Sequence, residues 1–412
     1  MLNWDDPLGL GQQNAAPAVE TVKSAKTETV KAPQMKSEQD IAEQPSVESK
    51  KTETIVVEQS TVVSNVTKEN LLANAEAGLE PVRAEDKKII NGKTDINQLA
   101  PFKYPWAWKF FLNANKNHWT PLDINMTQDV HDYNKTLSDD ERHVYQNVLS
   151  YLTTSDILAM RNVGLAVMEK MSAPELQIYQ ARQVYEEALH TWTYQHCIET
   201  IGLDQGEIYN RYRVVPQINK KIQVANRRLS SVLRPDIDLN DRDEMENFVL
   251  AYMFFAAIFE GCWFYNGFSP IFALQRRGLM KGTAEQLQYI MRDEVMHCSF
   301  GIRVVKQIIQ ENDIKLDPKL VREMWDESEA AEKGYAEYLL PRPILGYSAE
   351  DHSEQFRFIA NRRARQLQIE EPFPGAKSTL DWLDEQSNLR KEKNFFETRV
   401  TEYQTGGALS WD

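Results

Sequence analysis

Two of the seven histidines lie three residues after a glutamate, in the pairs Glu187/His190 and Glu294/His297. On a helix, a spacing of i, i+3 places both side chains on one face, so each pair can bind the same ion. Carboxylate oxygen and imidazole nitrogen are donors that suit iron or manganese, and no thiolate favours a zinc cluster. Because 61 of the 412 residues are acidic, the two pairs alone are a weak signal for a metal site.

A lone acid before each pair strengthens this signal. Asp156 lies 31 residues before Glu187, and Glu260 lies 34 residues before Glu294, each in a mainly apolar or uncharged stretch. A buried carboxylate without a partner or a cation is costly. Four carboxylates and two imidazoles around two divalent ions would balance the charge. The repeated order, an acid and then Glu-x-x-His, is the ligand pattern of a ferritin-like two-metal bundle.

Each ligand also has an interpretation that needs no metal. Glu260 could be a buried acid paired with an arginine, although no arginine lies at helical spacing near it. Asp156 could be a surface or capping acid, and both Glu-x-x-His pairs could lie on solvated helix faces. A structural bundle without metal would leave the buried acids unexplained.

The segments that carry these residues have the patterns of long helices. Capping boxes predict helix starts at Ser138, Ser172 and Thr283, and Gly202 predicts the end of the second helix. The first of these helices should run past residue 161 and the third past residue 305. A more apolar helix is predicted from near Asn240 to about residue 267, and later helices at 318–338, 352–368 and 378–394. The predicted fold class is therefore all-α, a ferritin-like helical bundle with a di-metal carboxylate site in its core.

Composition narrows the class of protein further. The net charge of −14 and the absence of a basic stripe argue against a nucleic-acid partner. The three cysteines are far apart, which argues against a disulfide framework or a zinc ribbon. Asp5 and Asp6 stand where a secretion signal would be basic. The most apolar stretch, Phe248–Phe259, is too short to span a bilayer. We expect a soluble cytoplasmic protein without membrane contact.

The two ends of the chain differ from its middle. Residues 1–101 contain one aromatic residue, Trp4, and the other 40 of the 41 lie in residues 102–412. A segment that buries so little apolar area cannot offset its ordering entropy. We therefore predict a disordered tail at 1–85, with a weak strand candidate at Ile55–Val66, a helical domain at 86–395 and a flexible C-terminal tail at 396–412.

Five stretches of the sequence closely resemble the small, radical-generating subunit of class I ribonucleotide reductases. The resemblance runs from about residue 86 to the end of the chain. The matching stretches are Asn-His-Trp-Thr-Pro at 117–121 with Ile-Asn-Met at 124–126, Glu-Glu-Ala-Leu-His at 186–190, Phe-Glu-Gly-Cys-Trp-Phe-Tyr at 259–265, Arg-Asp-Glu-Val-Met-His at 292–297, and Asn-Phe-Phe-Glu-Thr-Arg-Val-Thr-Glu-Tyr at 394–403.

The resemblance implies a tyrosyl radical at Tyr194, which lies one helical turn after His190. Family members with phenylalanine at this position keep the oxidising equivalent on a manganese–iron site. Tyr194 therefore favours two iron ions per chain, with manganese or a mixed pair as alternatives. Phe264, Phe268 and Ile290 match the family's apolar pocket around the radical. The alternative for Tyr194 is a core tyrosine with a satisfied hydroxyl, and for the pocket residues it is ordinary core.

Further roles follow from the same resemblance. Trp119 matches the tryptophan that supplies an electron when dioxygen is activated, and Asp293 matches the acid that hydrogen-bonds to His190. Tyr403, in the C-terminal tail, matches a radical relay to the large catalytic subunit, on which the tail docks. A homodimer is also expected. Without these roles, Trp119 would be a core aromatic, Asp293 a helix-face acid and the tail inert.

Two other functions would use the same ligands. A two-metal oxidase acting on a bound lipid or small molecule would need neither Trp119 nor a tail with Tyr403. Ferritin-like metal storage would not explain the tail and predicts a large shell that takes up many irons per chain.

Overall fold

The computed structural model of the chain describes residues 83–90, 97–234 and 236–383. These residues form helices and connecting turns, and no strand occurs among them, so the all-α prediction is confirmed for this part of the chain. The strand candidate at 55–66, the C-terminal tail with Tyr403 and nearly all of the predicted N-terminal tail lie outside the described residues. The domain boundaries at residues 85 and 395 therefore stay predictions.

The helices follow one another along the chain with short connections. In order, the α-helices are α1 (Pro105–Ala114), α2 (Thr127–His131), α3 (Asp139–Asn162), α4 (Pro174–Ile201), α5 (Gln205–Val214), α6 (Pro216–Ser230), α7 (Arg242–Met253), α8 (Tyr265–Gly267), α9 (Ser269–Arg276), α10 (Lys281–Asn312), α11 (Pro318–Leu339) and α12 (Ala349–Leu367). Wider π-helical turns occupy Asp132–Thr136, Val163–Val167 and Phe254–Phe264, and 3₁₀ turns occupy Ala84–Asp86, Pro121–Asp123 and Met168–Lys170.

Helix α3 begins as its sequence predicts. The Ser138 hydroxyl accepts a hydrogen bond from the Glu141 backbone N–H, and the Glu141 carboxylate accepts one from the Ser138 backbone N–H at 2.9 Å. This reciprocal pair satisfies two N–H groups that a helix start leaves free. Helix α4 ends at Gly202, as predicted, where φ is 83°. Glycine adopts this left-handed conformation without the strain that a Cβ atom would cause.

The prediction of a capping box at Ser172 is wrong. Helix α4 begins two residues later, after Ala173, without a side-chain cap. The carboxylate of Glu175, which the box would have used, accepts instead from the backbone N–H groups of Lys103 and Tyr104 at 3.1 Å each. Glu175 thus caps the entry to helix α1 rather than its own helix.

The capping box predicted at Thr283 is also wrong, because helix α10 begins at Lys281. Its first turn is capped by Asp129, a side chain from α2. The Asp129 carboxylate accepts from the backbone N–H groups of Gly282 and Thr283 at 2.8 and 2.7 Å, and from the Thr283 hydroxyl at 2.7 Å. A long-range contact therefore replaces the local one.

The apolar helix predicted from Asn240 to residue 267 is present as a continuous run of α7, the π-helical segment and α8. Its start is capped by Asp241, whose carboxylate accepts from two backbone N–H groups. Together with α9 the run is long and apolar enough to cross a membrane, and 94% of its most apolar window is buried inside the protein. The sequence analysis took the apolar stretch to be too short to span a bilayer, but the full run is long enough. Its burial inside the protein, rather than its length, identifies it as a core helix.

Four helical segments that carry the predicted ligands pack against one another. Helix α3 packs on α4, and α10 packs on both α4 and the π-helical segment Phe254–Phe264. At Gly301 of α10 a Cβ atom would overlap the side chain of Ala256. This close packing brings α10 against the segment that carries Glu260.

Candidate metal centre

The six predicted ligands converge in the core. Their ligand atoms form two groups, and within each group the atoms lie within 4.8 Å of one another. The exposure of every one of these side chains is 1% or less, which excludes solvated helix faces and a surface position for Asp156. The first group is Asp156, Glu187, His190 and Glu294, and the second is Glu187, Glu260, Glu294 and His297.

Glu187 and Glu294 belong to both groups, and their oxygens are divided between the two imidazoles. His190 Nδ1 lies 3.7 Å from Glu187 Oε2 and 3.2 Å from Glu294 Oε1. His297 Nδ1 lies 3.1 Å from Glu187 Oε1 and 3.4 Å from Glu294 Oε2. Each shared carboxylate thus offers one oxygen on each side, as a carboxylate does when it bridges two cations.

Asp156 and Glu260 complete the two ends of the cluster. Asp156 Oδ1 lies 3.9 Å from His190 Nδ1, and Glu260 Oε1 lies 3.9 Å from His297 Nδ1. Glu260 Oε1 also accepts a hydrogen bond of 2.7 Å from the Gln183 side-chain amide. A neutral amide therefore occupies the place where the alternative interpretation of Glu260 required an arginine.

The donor set fits a pair of divalent cations. Most of the ligand atoms are buried without a hydrogen-bond partner among the described residues. They are both oxygens of Asp156, Glu187 and Glu294, the second oxygen of Glu260, and Nδ1 of both histidines. Leaving so many polar atoms unpaired in a protein core is strongly unfavourable. Two cations bound by carboxylate oxygens and imidazole Nδ1 atoms would satisfy all of them.

Without cations, the same side chains hold protons. Burial raises the pKa of Asp156 and Glu260 well above their usual range. Burial lowers the pKa of His190 and His297, but the surrounding carboxylates outweigh burial and hold both pKa values well above 6.5. Burial opposes ionisation of Glu187 too, but attraction to the charges of His297 and His190 lowers its pKa to about 2. Metal binding must therefore displace protons.

Each imidazole is oriented by an acid from the other ligand pair. His190 Nε2 lies 3.2 Å from Asp293 Oδ2, the acid before Glu294. His297 Nε2 lies 2.9 Å from Glu186 Oε2, the acid before Glu187. Such partners set the imidazole tautomer and increase its basicity toward a metal. Asp293 is predicted from the sequence and Glu186 is not, although an acid directly before the ligand glutamate in both pairs was a readable signal.

Trp119 lies beside this outer layer and contacts it through Asp293. Its Nε1–H donates to Asp293 Oδ2 at 3.3 Å, and its ring stacks on Tyr289 with ring centroids 5.4 Å apart. Asn117 also donates to Asp293. The sequence analysis assigns no role to Tyr289 or Asn117, because their contacts depend on the approach of residues 117–119 to α10.

Tyr194 is fully buried, and its hydroxyl has no hydrogen-bond partner among the described residues. Burial, followed by the charge of nearby Asp156, raises the pKa of Tyr194 well above 10. Phe264, Phe268 and Ile290 are fully buried and belong to the same hydrophobic core as Tyr194.

The chain is similar to ribonucleotide reductase subunits over most of its length. It is 37% identical to the ribonucleoside-diphosphate reductase subunit beta of Chlamydia pneumoniae over 338 residues, which cover 81% of this chain and 97% of that protein. It is 30% identical to the ribonucleoside-diphosphate reductase small subunit of Dictyostelium discoideum over 335 residues, which cover 80% and 91% of the two chains.

Solved structures share the fold. The ribonucleotide reductase R2 subunit from Clostridium botulinum superposes with a TM-score of 0.66 at 24% identity, over 73% of this chain and 94% of that chain. The dimanganese(II)-NrdF of Streptococcus sanguinis gives 0.57 at 20% identity, over 73% and 99%. These likenesses confirm the ferritin-like bundle. The family model for the ribonucleotide reductase small chain matches residues 96–379, and the chain therefore belongs to the small, radical-generating subunits of class I ribonucleotide reductase.

Proposed function

We propose that the chain binds two iron ions and uses dioxygen to oxidise Tyr194 to a stable radical. The radical would pass to the large subunit, which reduces ribonucleoside diphosphates to deoxyribonucleotides. The observation that carries this proposal is the placement of Tyr194: a buried phenol with no hydrogen-bond partner in the described core, next to the cluster ligand Asp156. The function would be carried out in the cytoplasm.

The two ions, when bound, supply the activation of dioxygen. The side chains contribute a charge-balanced cavity: four carboxylates, of which Glu187 and Glu294 are shared, and two imidazoles whose free nitrogens face inward. Manganese or a mixed manganese–iron pair takes the same donors. The preference for iron rests on Tyr194, since a phenol at this position gives the oxidising equivalent a place on the protein.

Oxidation of Tyr194 must remove a proton together with the electron, because the pKa of a phenol lies near 10 and burial raises it here. Asp156 is the carboxylate that acts most strongly on the Tyr194 hydroxyl. Burial raises the pKa of Asp156, so this carboxylate can hold a proton. We propose that Asp156 takes up the Tyr194 proton, and that a metal pair held by the cluster would take up the electron. Phe264, Phe268 and Ile290, which are fully buried, would form the apolar pocket that protects the radical from water and reductants.

A second electron would come from Trp119. Its indole N–H already donates to Asp293, and Asp293 in turn holds His190, so one carboxylate joins the tryptophan to a metal ligand. The negative charge of the Asp293 carboxylate beside the indole N–H would stabilise the oxidised form of Trp119. The same three residues would form the route by which the oxidising equivalent leaves the centre toward Tyr403, in the tail that docks on the large subunit.

We further propose a homodimer. Four large apolar side chains, Ile157, Leu165, Tyr185 and Trp192, are 40–56% exposed on α3, on the π turn that follows it and on α4, which packs against α3. Exposed apolar side chains of this size are typical of an interface, and a twofold axis would let two copies of the chain pair through them. Trp192→Glu should convert a dimer to a monomer in light scattering, and an unchanged mass would count against this surface.

Electron paramagnetic resonance of iron-loaded, air-exposed protein tests the radical assignment. A tyrosyl signal should appear, and Tyr194→Phe should abolish it while two irons stay bound. Tyr145→Phe is a matched control, since Tyr145 is equally buried but bonds to Thr283 rather than facing the cluster. A signal that persists unchanged in Tyr194→Phe would refute the assignment.

Removal of residues 398–412 tests the partnership. The truncated chain should form the radical normally but fail to support reductase activity with the large subunit. Retained activity would contradict the docking role of the tail. A two-metal oxidase would instead show a co-purifying lipid or small molecule and no radical, and a storage protein would take up many irons per chain.

A further inference from the structure

A second polar cluster lies in the core, outside the metal ligands. Lys221, on α6, is fully buried, and its Nζ lies 2.5 Å from Glu332 Oε2 on α11. The other Glu332 oxygen accepts from Asn266 at 3.0 Å and lies 2.9 Å from His352 Nε2. The carboxylate is therefore shared among three groups, so it does not belong to the ammonium alone.

The Lys221 ammonium faces three aromatic rings. Its Nζ lies 3.8 Å from the ring centroid of Tyr151, 4.6 Å from that of Tyr335 and 4.9 Å from that of Trp263. A cation over the face of an aromatic ring is attracted by the π electrons. The same charge makes it harder to remove an electron from the ring, because the ring would then become positive as well.

Two of these rings belong to the segments that carry metal ligands. Tyr151 is on α3, five residues before Asp156. Trp263 is in the π-helical segment, three residues after Glu260. An oxidant strong enough to oxidise a buried phenol at the centre can also oxidise an indole or another phenol within a few helical turns.

An indole can lose an electron with its N–H proton or without it. At Trp263 the first route has no outlet, because the buried Nε1 has no hydrogen-bond partner in the described part of the chain. The second route creates a cation radical next to the Lys221 ammonium. Trp119 is the reverse case: its Nε1–H donates to the Asp293 carboxylate.

We propose that Lys221 directs the oxidising equivalent, keeping Tyr151, Trp263 and Tyr335 reduced while Trp119 and Tyr194 are oxidised. This rests on the proposed function of the centre. The side reaction that Lys221 suppresses moves one electron from Trp263 to the oxidised metal centre, so the indole becomes a cation radical and the centre gains one electron. Lys221 touches no ligand and is a positioning residue for charge.

The double variant Lys221→Met, Glu332→Gln tests the proposal without leaving an unpaired charge in the core. After iron loading and air exposure, peptide mass spectrometry should show roughly threefold or more oxidation of Trp263 per iron, a moderate rise because Glu332 offsets part of the ammonium's field. The tyrosyl signal per iron should fall, and adding Trp263→Phe should restore it. The matched control is Lys87→Met, Glu175→Gln, another buried pair that should change neither readout.

Equal oxidation maps and equal tyrosyl signals in the double variant and the unaltered protein, at the same iron content, would overturn the role of Lys221. If the double variant does not fold, the unaltered protein decides: after repeated cycles of reduction and air oxidation, oxidation of Trp263 as extensive as that of Trp119 overturns the proposal, and a reduced Trp263 supports it. Absence of any tyrosyl signal from the unaltered protein would refute the proposed function, while the oxidation map would still decide on Lys221.

Discussion

Replacing Glu186 with glutamine should weaken metal binding at one of the two positions and leave the other nearly intact. Glu186 Oε2 lies 2.9 Å from His297 Nε2. Among the candidate ligands, His297 belongs only to the group with Glu260, whereas His190 belongs only to the group with Asp156. Glutamine keeps the size of the side chain and an oxygen that can accept from Nε2–H, but it lacks the negative charge that makes the imidazole a stronger donor.

The size of the effect follows from burial and from Arg182. Loss of an outer partner of a metal-binding imidazole costs about 10- to 100-fold in affinity, or about 1.4–2.8 kcal/mol. Glu186 is 1% exposed, so solvent hardly screens the lost charge. Arg182 Nε lies 2.8 Å from Glu186 Oε1, and in the variant this guanidinium stays near the site without its carboxylate. We therefore expect a loss near the upper end, about 100-fold.

Anaerobic titration with Mn²⁺, followed by calorimetry and by the resonance of free Mn²⁺, measures the two affinities without oxidising the protein. Glu186→Gln should separate the titration into a strong and a weak step. Asp293→Asn should weaken the position that contains His190, and the double variant should weaken both. Glu199→Gln is the matched control, because Glu199 is an exposed acid on the same helix.

Two equal and undiminished affinities in Glu186→Gln would refute the reasoning, provided that Asp293→Asn shows a loss. They would mean that the charge of Glu186 does not reach the metal through His297. An equal loss at both positions would contradict the assignment of each acid to one imidazole.

Metal affinity should rise with pH. Carboxylates hold the pKa of His190 and His297 above 6.5, so protons occupy the ligand nitrogens below those pKa values. Calorimetry in buffers of different ionisation enthalpy should detect proton release on metal binding, and binding without proton release would contradict this prediction. Gly301→Ala should lower the free energy of unfolding by about 1–3 kcal/mol in urea, because its Cβ would overlap Ala256, whereas Gly334→Ala meets open space and should be neutral or stabilising. Asp129→Ala should cost about 2 kcal/mol or more in the same urea assay, since two backbone N–H groups and a hydroxyl lose their acceptor; a loss below 0.5 kcal/mol would show that water replaces the cap.

Local spacing predicted the ligands, because both members of each Glu-x-x-His pair lie on one turn of one helix. The capping box at Ser138 was predictable for the same reason: its donors and acceptors lie within three residues. The start of α10 was not, because its cap is Asp129, 154 residues before Thr283. Glu175 shows the same limit, since its carboxylate serves backbone groups about 70 residues earlier in the chain.

The wide turns of Phe254–Phe264 were also beyond sequence reasoning. All eleven residues are buried, so the segment has no polar face, and periodicity cannot report the number of residues per turn. Lys221 was hidden for a related reason. Its sequence neighbours are ordinary for an amphipathic helix, and only the packing of α6 on α11 shows that Glu332 and three rings surround it.

Asp293 and Glu186, each of which orients the imidazole of the other ligand pair, also affect how the metal centre assembles. The part of the chain before residue 231 contains Glu186, Glu187 and His190. The part after residue 241 contains Asp293, Glu294 and His297. The acid that orients each imidazole therefore comes from the other half of the chain. Neither half contains a finished subsite. If the halves were produced as separate polypeptides, metal uptake would follow the product of their two concentrations, and an excess of one alone would capture no ion tightly.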